Sequence, residues 1–149
     1  WSKALQQAFE KHLARLTASA NFLLSWVDNP EWHAFCHDFI PAAKVPSQYT
    51  MARHLIPQAV SELRTAVKQA VKGHESTLQA DGWTGINNHH LLAFMITTQT
   101  KIHTVNVYDV SKERKTANKL LEKLEEVIKN VNDSWGSKVI AVVTDASGE

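Results

Sequence analysis

Two stretches in the second half of the chain place an aspartate where a predicted strand ends. Residues 76–84 alternate apolar and polar side chains up to Asp81, which is followed at once by Gly82. We expect that glycine to break the strand directly after the acid. Residues 139–148 open with an unbroken apolar run that ends on Asp145. Open α/β sheets bind ligands at the carboxyl ends of their strands, so these two acids are the first candidates for a functional site.

The first half of the chain has a helical hydrophobic period. Apolar residues recur there at three- and four-residue steps, which predicts an all-helical segment over residues 1–73. Asn29 and Pro30 form a helix start, an N-cap followed by proline at the first helical position. Pro57 lacks the amide N–H that a helix interior requires, so we expect a kink, or the junction of two helices, near Ile56.

Residues 74–149 predict strands and one helix in the order β-β-β-α-β. Residues 91–98 and 102–110 are two strands, most simply joined as an antiparallel hairpin. Residues 116–131 have a strong amphipathic pattern, and a crossover through this helix would lay the fourth strand parallel to one of the first three. The apolar run of the fourth strand is typical of a strand buried on both faces. The predicted fold class is α+β or α/β, a helical segment followed by part of a mixed sheet.

A pair of acids at neighbouring strand ends could hold a metal ion. If the fourth strand lies beside the first, Asp81 and Asp145 emerge at the same end of strands about 4.8 Å apart, close enough to bridge one hard cation. Two divalent ions about 3.5–4 Å apart are a standard device for phosphodiester chemistry, but such a site needs at least a third acid. The structural alternative stays open, because aspartate is common in turns and Asp145 could cap a following helix.

The same residues resemble a known family. The run Asp81-Gly82-Trp83-Thr84, the hairpin after it, and residues 142–147 resemble the start of the catalytic domain of hAT-superfamily DNA transposases. Residues 29–73 are similar to the segment that precedes this motif in the family. The resemblance covers roughly residues 20–149, a region often described as a transposase-like domain of unknown function.

This resemblance implies a fold, a cofactor and two site residues. The family has an RNase H-like fold, of which residues 74–149 would be the N-terminal part. Asp81 and Asp145 match its first and second catalytic acids, which hold Mg²⁺ or Mn²⁺. A complete protein of this kind would cut and join DNA, as an intracellular protein acting in the nucleus. DNA is the implied partner and a homo-oligomer is compatible with the resemblance.

The chain departs from the family pattern at two points. The third catalytic acid of the family is a glutamate that follows a large helical insertion, and Glu149 is too close to Asp145 to match it. The usual run is Thr-Asp-Asn-Ala, whereas this chain has Thr-Asp-Ala-Ser at residues 144–147. We therefore expect a fragment, with a helical segment over 1–73 and a truncated catalytic core over 74–149, that is inactive alone.

A second function class stays open beside the transposase. The fold could persist in a domesticated, catalytically inactive DNA- or protein-binding or dimerisation module, in which the acids are relics. The altered motif after Asp145 and the net charge of only +1 favour this alternative slightly. Loss of divalent-metal binding in both single Asp→Asn variants would favour the catalytic interpretation instead.

Four further residues are candidates for contacts with DNA. Trp83 follows the first acid closely and could stack on or position a substrate, although an aromatic ring there could equally pack over the end of the sheet. Lys112, Arg114 and Lys115 lie in a charged loop and are candidates for phosphate contacts. Their charge is partly offset by Glu113, and such runs are often only solvated.

The histidines and the single cysteine give weaker signals. His33 and His37 stand four residues apart with Cys36 between them, which could be a metal-binding face or two surface histidines beside a buried cysteine. The pair His89-His90 is expected on the side of the sheet away from the acids. A single cysteine excludes an internal disulfide, and no apolar run approaches the roughly 20 residues of a membrane span.

Overall fold

A computed structural model describes residues 1–85, 87–99, 101–113 and 116–144. It shows a helical N-terminal region followed by a four-stranded mixed sheet with helices, which confirms the predicted fold class. By contacts the chain divides into two compact units, Trp1–Thr65 and Ala66–Glu149. Asp145, Arg114 and Lys115 lie outside the described residues.

The helical region consists of four helices and two short turns. They are α1 (Lys3–Ser19), a 3₁₀ turn (Leu24–Asp28), α2 (Pro30–Phe39), α3 (Gln48–Thr50), a π-helical turn (Met51–Leu55) and α4 (Ile56–Val71). The predicted start of α2 is confirmed, since the Asn29 side chain accepts a hydrogen bond from the Glu31 amide at 2.8 Å. Leu13, Ala14, Val27 and Met51 form the buried core of the first unit.

The predicted irregularity at Pro57 takes the form of a π-helical turn. A proline at position 57 leaves the carbonyl of Arg53 without its usual helical donor. The chain adapts one turn earlier, where the Ile56 amide donates to the Met51 carbonyl five residues back. The helical course therefore continues from α3 through the π turn into α4.

The sheet belongs to the second unit and has the strand order β3-β2-β1-β4. Its strands are β1 (Glu75–Thr84), β2 (His90–Thr98), β3 (Lys101–Asp109) and β4 (Lys138–Thr144). β2 pairs antiparallel with both β1 and β3, as predicted for the hairpin. β4 pairs parallel with β1. This confirms the predicted parallel crossover and fulfils the condition, left open by the sequence, that the fourth strand lies beside the first.

One face of the sheet carries the core of the second unit. Helix α5 (Ala117–Asn130) and a π-helical turn (Val131–Trp135) connect β3 to β4. Their inward side chains pack with those of the strands in one cluster, whose buried members are Val71, Leu78, Ala80, Phe94, Ile96, Val105, Val127, Val131 and Trp135. We call this side the covered face and the opposite side of the sheet the open face.

Two expectations about the strands are wrong. β1 does not end at Asp81 but runs through Gly82 to Thr84, because β2 supplies a pairing partner at each of these positions. β4 is not buried on both faces, since it is an edge strand among the described residues and Ile140 is 56% and Val143 54% exposed. Exposed residues of its apolar run lie on both sides of the strand, since Val142 pairs with Leu78 and Val143 with Gln79.

None of the helices among the described residues is both long and apolar enough to cross a membrane.

Candidate functional site

Asp81 lies on the open face of the sheet, beside the point where the described part of β4 ends. Leu78 and Ala80 point into the core, and strand alternation puts Asp81 on the opposite side. Asp81 is exposed and pairs across the sheet with Ala93 of β2. On the other side of β1, Ala80 pairs with Thr144, the last described residue of β4. In the sequence an aspartate follows each of these two paired residues.

The structure therefore shows one half of the predicted acid pair. Asp145 falls outside the described residues, so only Asp81 and the parallel strand pairing are described. Among the described residues no group of three or more histidine, cysteine, aspartate or glutamate side chains could hold a metal ion. The described part of the site is the exposed carboxylate of Asp81 on β1, which pairs in parallel with β4.

Trp83 shares the open face with Asp81. It lies two residues further along β1 and pairs with Leu91 at the start of β2. Its side chain is not buried, since 45% of the residue is exposed. Val143 lies on the same face, because it pairs with Gln79, two residues before Asp81. An exposed aromatic ring and an exposed carboxylate thus lie two residues apart on the open face of the sheet.

A hydrogen-bonded cluster around Asp109 lies at the same end of the sheet, and sequence reasoning missed it. Asp109 pairs with Leu91, which pairs with Trp83, so the three residues form one row across the open face. His89 Nδ1 donates to Asp109 Oδ2 at 2.9 Å. The Ser111 amide donates to Asp109 Oδ1 at 3.0 Å, and the Ser111 hydroxyl donates to the same oxygen. The spacing Asp-x-Ser after a strand was the available signal, since aspartate often accepts from the amide two residues on.

These donors stabilise the ionised form of Asp109. The hydrogen bonds from Ser111, first from its hydroxyl and then from its amide, lower the pKa of the Asp109 carboxyl from 3.8 to about 2, with a smaller contribution from His89. Asp109 does not complete a metal site with Asp81. β3 is two strands away from β1, so their backbones are separated by about 10 Å at two strand spacings of about 4.8 Å.

The basic loop begins directly after this cluster. Lys112 is exposed and has no ion-pair partner among the described residues. Glu113 is paired elsewhere, because its Oε1 is 3.1 Å from Nζ of Lys123 on α5. Lys123 in turn lies over the Tyr108 ring, 4.9 Å from its centroid. The acid of the charged run is therefore paired within the fold, and the charge of Lys112 faces solvent.

The expected position of His89-His90 is wrong. His90 pairs with Thr84 near the end of β1, so the two histidines lie at the same end of the sheet as Asp81. The reason is the antiparallel pairing, which sets the start of β2 against the end of β1. His90 is tied there by a 2.8 Å hydrogen bond between its Nδ1 and the Thr84 hydroxyl.

The first unit offers no complete metal site among its described residues. Cys36 is 3% exposed, and burial raises the pKa of its thiol. His33 and His37 are both exposed on α2, and His37 Nδ1 lies 2.9 Å from Asp38 Oδ1. The structure thus shows two surface histidines beside a buried cysteine.

Comparison with known proteins places the chain in a family. Residues 46–149 match the family described as Domain of unknown function (DUF659), and the chain belongs to it. This domain family is found in hAT-like transposases, so the chain carries a transposase-related domain. The match begins one residue before the Ser47 helix cap and includes every strand of the sheet. No curated protein and no solved structure matches the chain.

Proposed function

We propose that this chain is the N-terminal part of the catalytic region of a hAT-like transposase, whose complete form cuts and joins DNA in the nucleus. The observation that carries the proposal is the parallel pairing of β1 with β4. This pairing reaches Ala80 and Thr144, and an aspartate follows each of them in the sequence. The family match covers the same region, and this domain family is found in hAT-like transposases.

In this proposal Asp81 and Asp145 hold Mg²⁺ or Mn²⁺. Carboxylate oxygens are the ligands that these hard cations prefer, and Asp81 presents an exposed carboxylate on the open face of the sheet. When bound, the ions would activate water and stabilise a leaving oxygen of a phosphodiester. Trp83, on the same face, is the proposed substrate-positioning ring, and Lys112, Arg114 and Lys115 are the proposed phosphate contacts.

The experiment that tests the acid pair is a Mn²⁺ titration of the 149-residue chain, monitored by water-proton relaxation. We expect weak binding in the wild type and loss of binding in both Asp81→Asn and Asp145→Asn. Asp133→Asn is the matched control, because Asp133 is an exposed acid in the π-helical turn before β4. If Mn²⁺ binding survives in both site variants, or is lost equally in the control, Asp81 and Asp145 do not form a metal site.

We expect no DNA cleavage by this chain alone. Two acids are fewer than two-metal chemistry requires, and no third acid joins Asp81 among the described residues. A nicking assay on supercoiled DNA with Mg²⁺ and with Mn²⁺ tests this. Nicking by the wild type that disappears in Asp81→Asn would show that the chain holds a complete site and would overturn the expectation.

The open face of the sheet favours a second candidate function, a catalytically inactive binding or dimerisation module. Trp83, Val107 and Val143 are each between 45% and 54% exposed on this face, and exposed apolar side chains of this size are candidates for contacts with a partner. If the module is the function, substitution of Val107, which has no role in the catalytic proposal, abolishes association with a second copy, while both Asp→Asn variants associate normally. Normal association of the Val107 variant would remove this candidate.

A further inference from the structure

The segment that follows β3 is held on both sides of Lys112. On one side the Ser111 amide donates to Asp109 Oδ1 at 3.0 Å, and the His90 amide donates to the Ser111 hydroxyl at 2.9 Å. The Val110 amide also donates to the His90 carbonyl at 2.8 Å. On the other side Glu113 is paired with Lys123 of α5. Lys112 is the exposed residue between these two anchors.

We infer that Asp109 is a positioning residue, which fixes the loop so that Lys112 meets a DNA phosphate, and that it contacts neither DNA nor a metal ion itself. The inference rests on the proposed DNA binding at Lys112. It adds a residue to which neither the sequence nor the family match assigns a role.

The hydrogen bonding of Asp109 shows that its oxygens are used within the fold. Oδ1 accepts from both the amide and the hydroxyl of Ser111, and Oδ2 accepts from His89. A carboxylate with donors on both oxygens has less capacity left for a cation. Its distance from β1, two strand spacings of about 4.8 Å, also separates it from the proposed metal ligands.

The sign of the charge makes the inference testable. DNA is a polyanion, so an ionised carboxylate in the same row as Trp83 and three residues from Lys112 repels it. If Asp109 acted only through its charge, removing that charge would strengthen DNA binding. If Asp109 acts by holding the loop, its loss weakens binding even though the protein becomes more positive. The two accounts predict opposite changes.

Asparagine at this position separates the hydrogen bonds from the charge. An asparagine Oδ1 can accept from the Ser111 amide as the carboxylate does, and its amide group can meet a histidine nitrogen. Asp109→Asn therefore keeps the turn and loses the charge, whereas Asp109→Ala loses both. Asp133→Ala changes the net charge by the same amount at an exposed site before β4, which makes it the matched control.

The experiment measures the affinity of the 149-residue chain and its variants for a short fluorescein-labelled duplex of mixed sequence over a range of salt concentrations. Each lost phosphate contact lowers the slope of log K against log salt by about 0.9. We expect the slope to fall by about 0.9 in both Lys112→Ala and Asp109→Ala. Both variants should also bind DNA more weakly than the wild type. Asp109→Asn and Asp133→Ala should keep the wild-type slope and bind equally or more tightly. Equal tightening in both Asp109 variants would overturn the inference.

A measurement without DNA separates failure of this inference from failure of the proposed function. We expect amide hydrogen exchange at Ser111 to accelerate at least several-fold in Asp109→Ala and to stay near the wild-type rate in Asp109→Asn. The exchange of Ile96, in the core, reports that the variant remains folded. Unchanged exchange at Ser111 overturns the positioning role whatever the DNA result. If instead exchange changes but Lys112→Ala binds DNA as the wild type does, the proposed phosphate contact is wrong and the positioning role falls with it.

Discussion

At the scale of single residues, two glycines that look alike in the sequence have opposite structural roles. Gly136 ends the π-helical turn at a φ of +66°, and a Cβ there would come within 3.1 Å of Lys72 Cγ. Gly82 lies inside β1 without a positive φ, and a Cβ there would meet its nearest neighbours at 3.7 Å, an ordinary contact. Of these two, only Gly136 needs the conformational freedom of glycine.

We predict that alanine substitutions at these glycines change stability in opposite directions. Gly136→Ala should destabilise the fold by about 1 kcal/mol or more, because it forces an L-residue into the left-handed region. Gly82→Ala should be neutral or stabilise by up to about 1 kcal/mol, because the unfolded chain loses conformational freedom. Urea unfolding of both variants beside the wild type measures the difference. A large destabilisation by Gly82→Ala would show that the glycine has a structural role that its backbone does not reveal.

The acid range tests the Asp109 cluster. The folded pKa of Asp109, about 2, is below the ordinary 3.8, so its contribution is fully present above about pH 4 and is lost as the pH falls through about 2. Carboxyl ¹³C NMR should place the Asp109 titration near pH 2, and the Ser111 amide shift should follow the same curve. In Asp109→Asn the Ser111 shift should not move over this range. A midpoint near 3.8 would contradict the hydrogen bonding described for the carboxylate.

At the scale of elements, local pattern predicted which strands form but not where β1 ends or what β4 faces. Glycine after Asp81 indicates a break on local grounds, yet β2 pairs with β1 through Thr84 and keeps the strand extended. The apolar run in β4 indicates burial on both faces, yet burial depends on what lies beside the strand. Both errors have the same cause, because pairing partners and covering layers are properties of the assembled sheet.

The exposure of β4 predicts that it tolerates a charge on its open face. Val143 is 54% exposed, so Val143→Lys should change the free energy of unfolding by no more than about 1 kcal/mol, because the lysine head can reach water. Ile96 on β2 is fully buried, and Ile96→Lys should abolish folding because the ammonium would be desolvated. Thermal unfolding by circular dichroism compares the two variants. Unfolding by Val143→Lys would show that this face is covered in the 149-residue chain.

At the scale of the whole molecule, the sequence predicted the fold class and a fourth strand parallel to one of the first three, and the structure identifies that neighbour as β1. The resemblance predicted a relationship to transposases, and the family match supports a transposase-related domain. The acid pair remains a prediction, because Asp145 lies outside the described residues. The Asp109 cluster was not predicted, because it joins His89, Asp109 and Ser111 across two strands. The Asp109–Ser111 contact is local, but only the register of β2 and β3 brings His89 to Asp109.

The division into two units predicts two unfolding transitions. The buried core residues of the first unit lie between positions 13 and 51, and those of the second between 71 and 135, so each core is formed by residues of its own unit. Leu13→Ala should therefore lower the stability of the first unit by about 2–5 kcal/mol and leave the second unchanged, and Leu78→Ala should do the reverse. Native-state hydrogen exchange measures both at once, through core amides of α1 and of β2. Equal loss of protection in both units from either variant would mean that the chain unfolds as one cooperative body. Separate losses would show that the sheet bearing Asp81 folds on its own core.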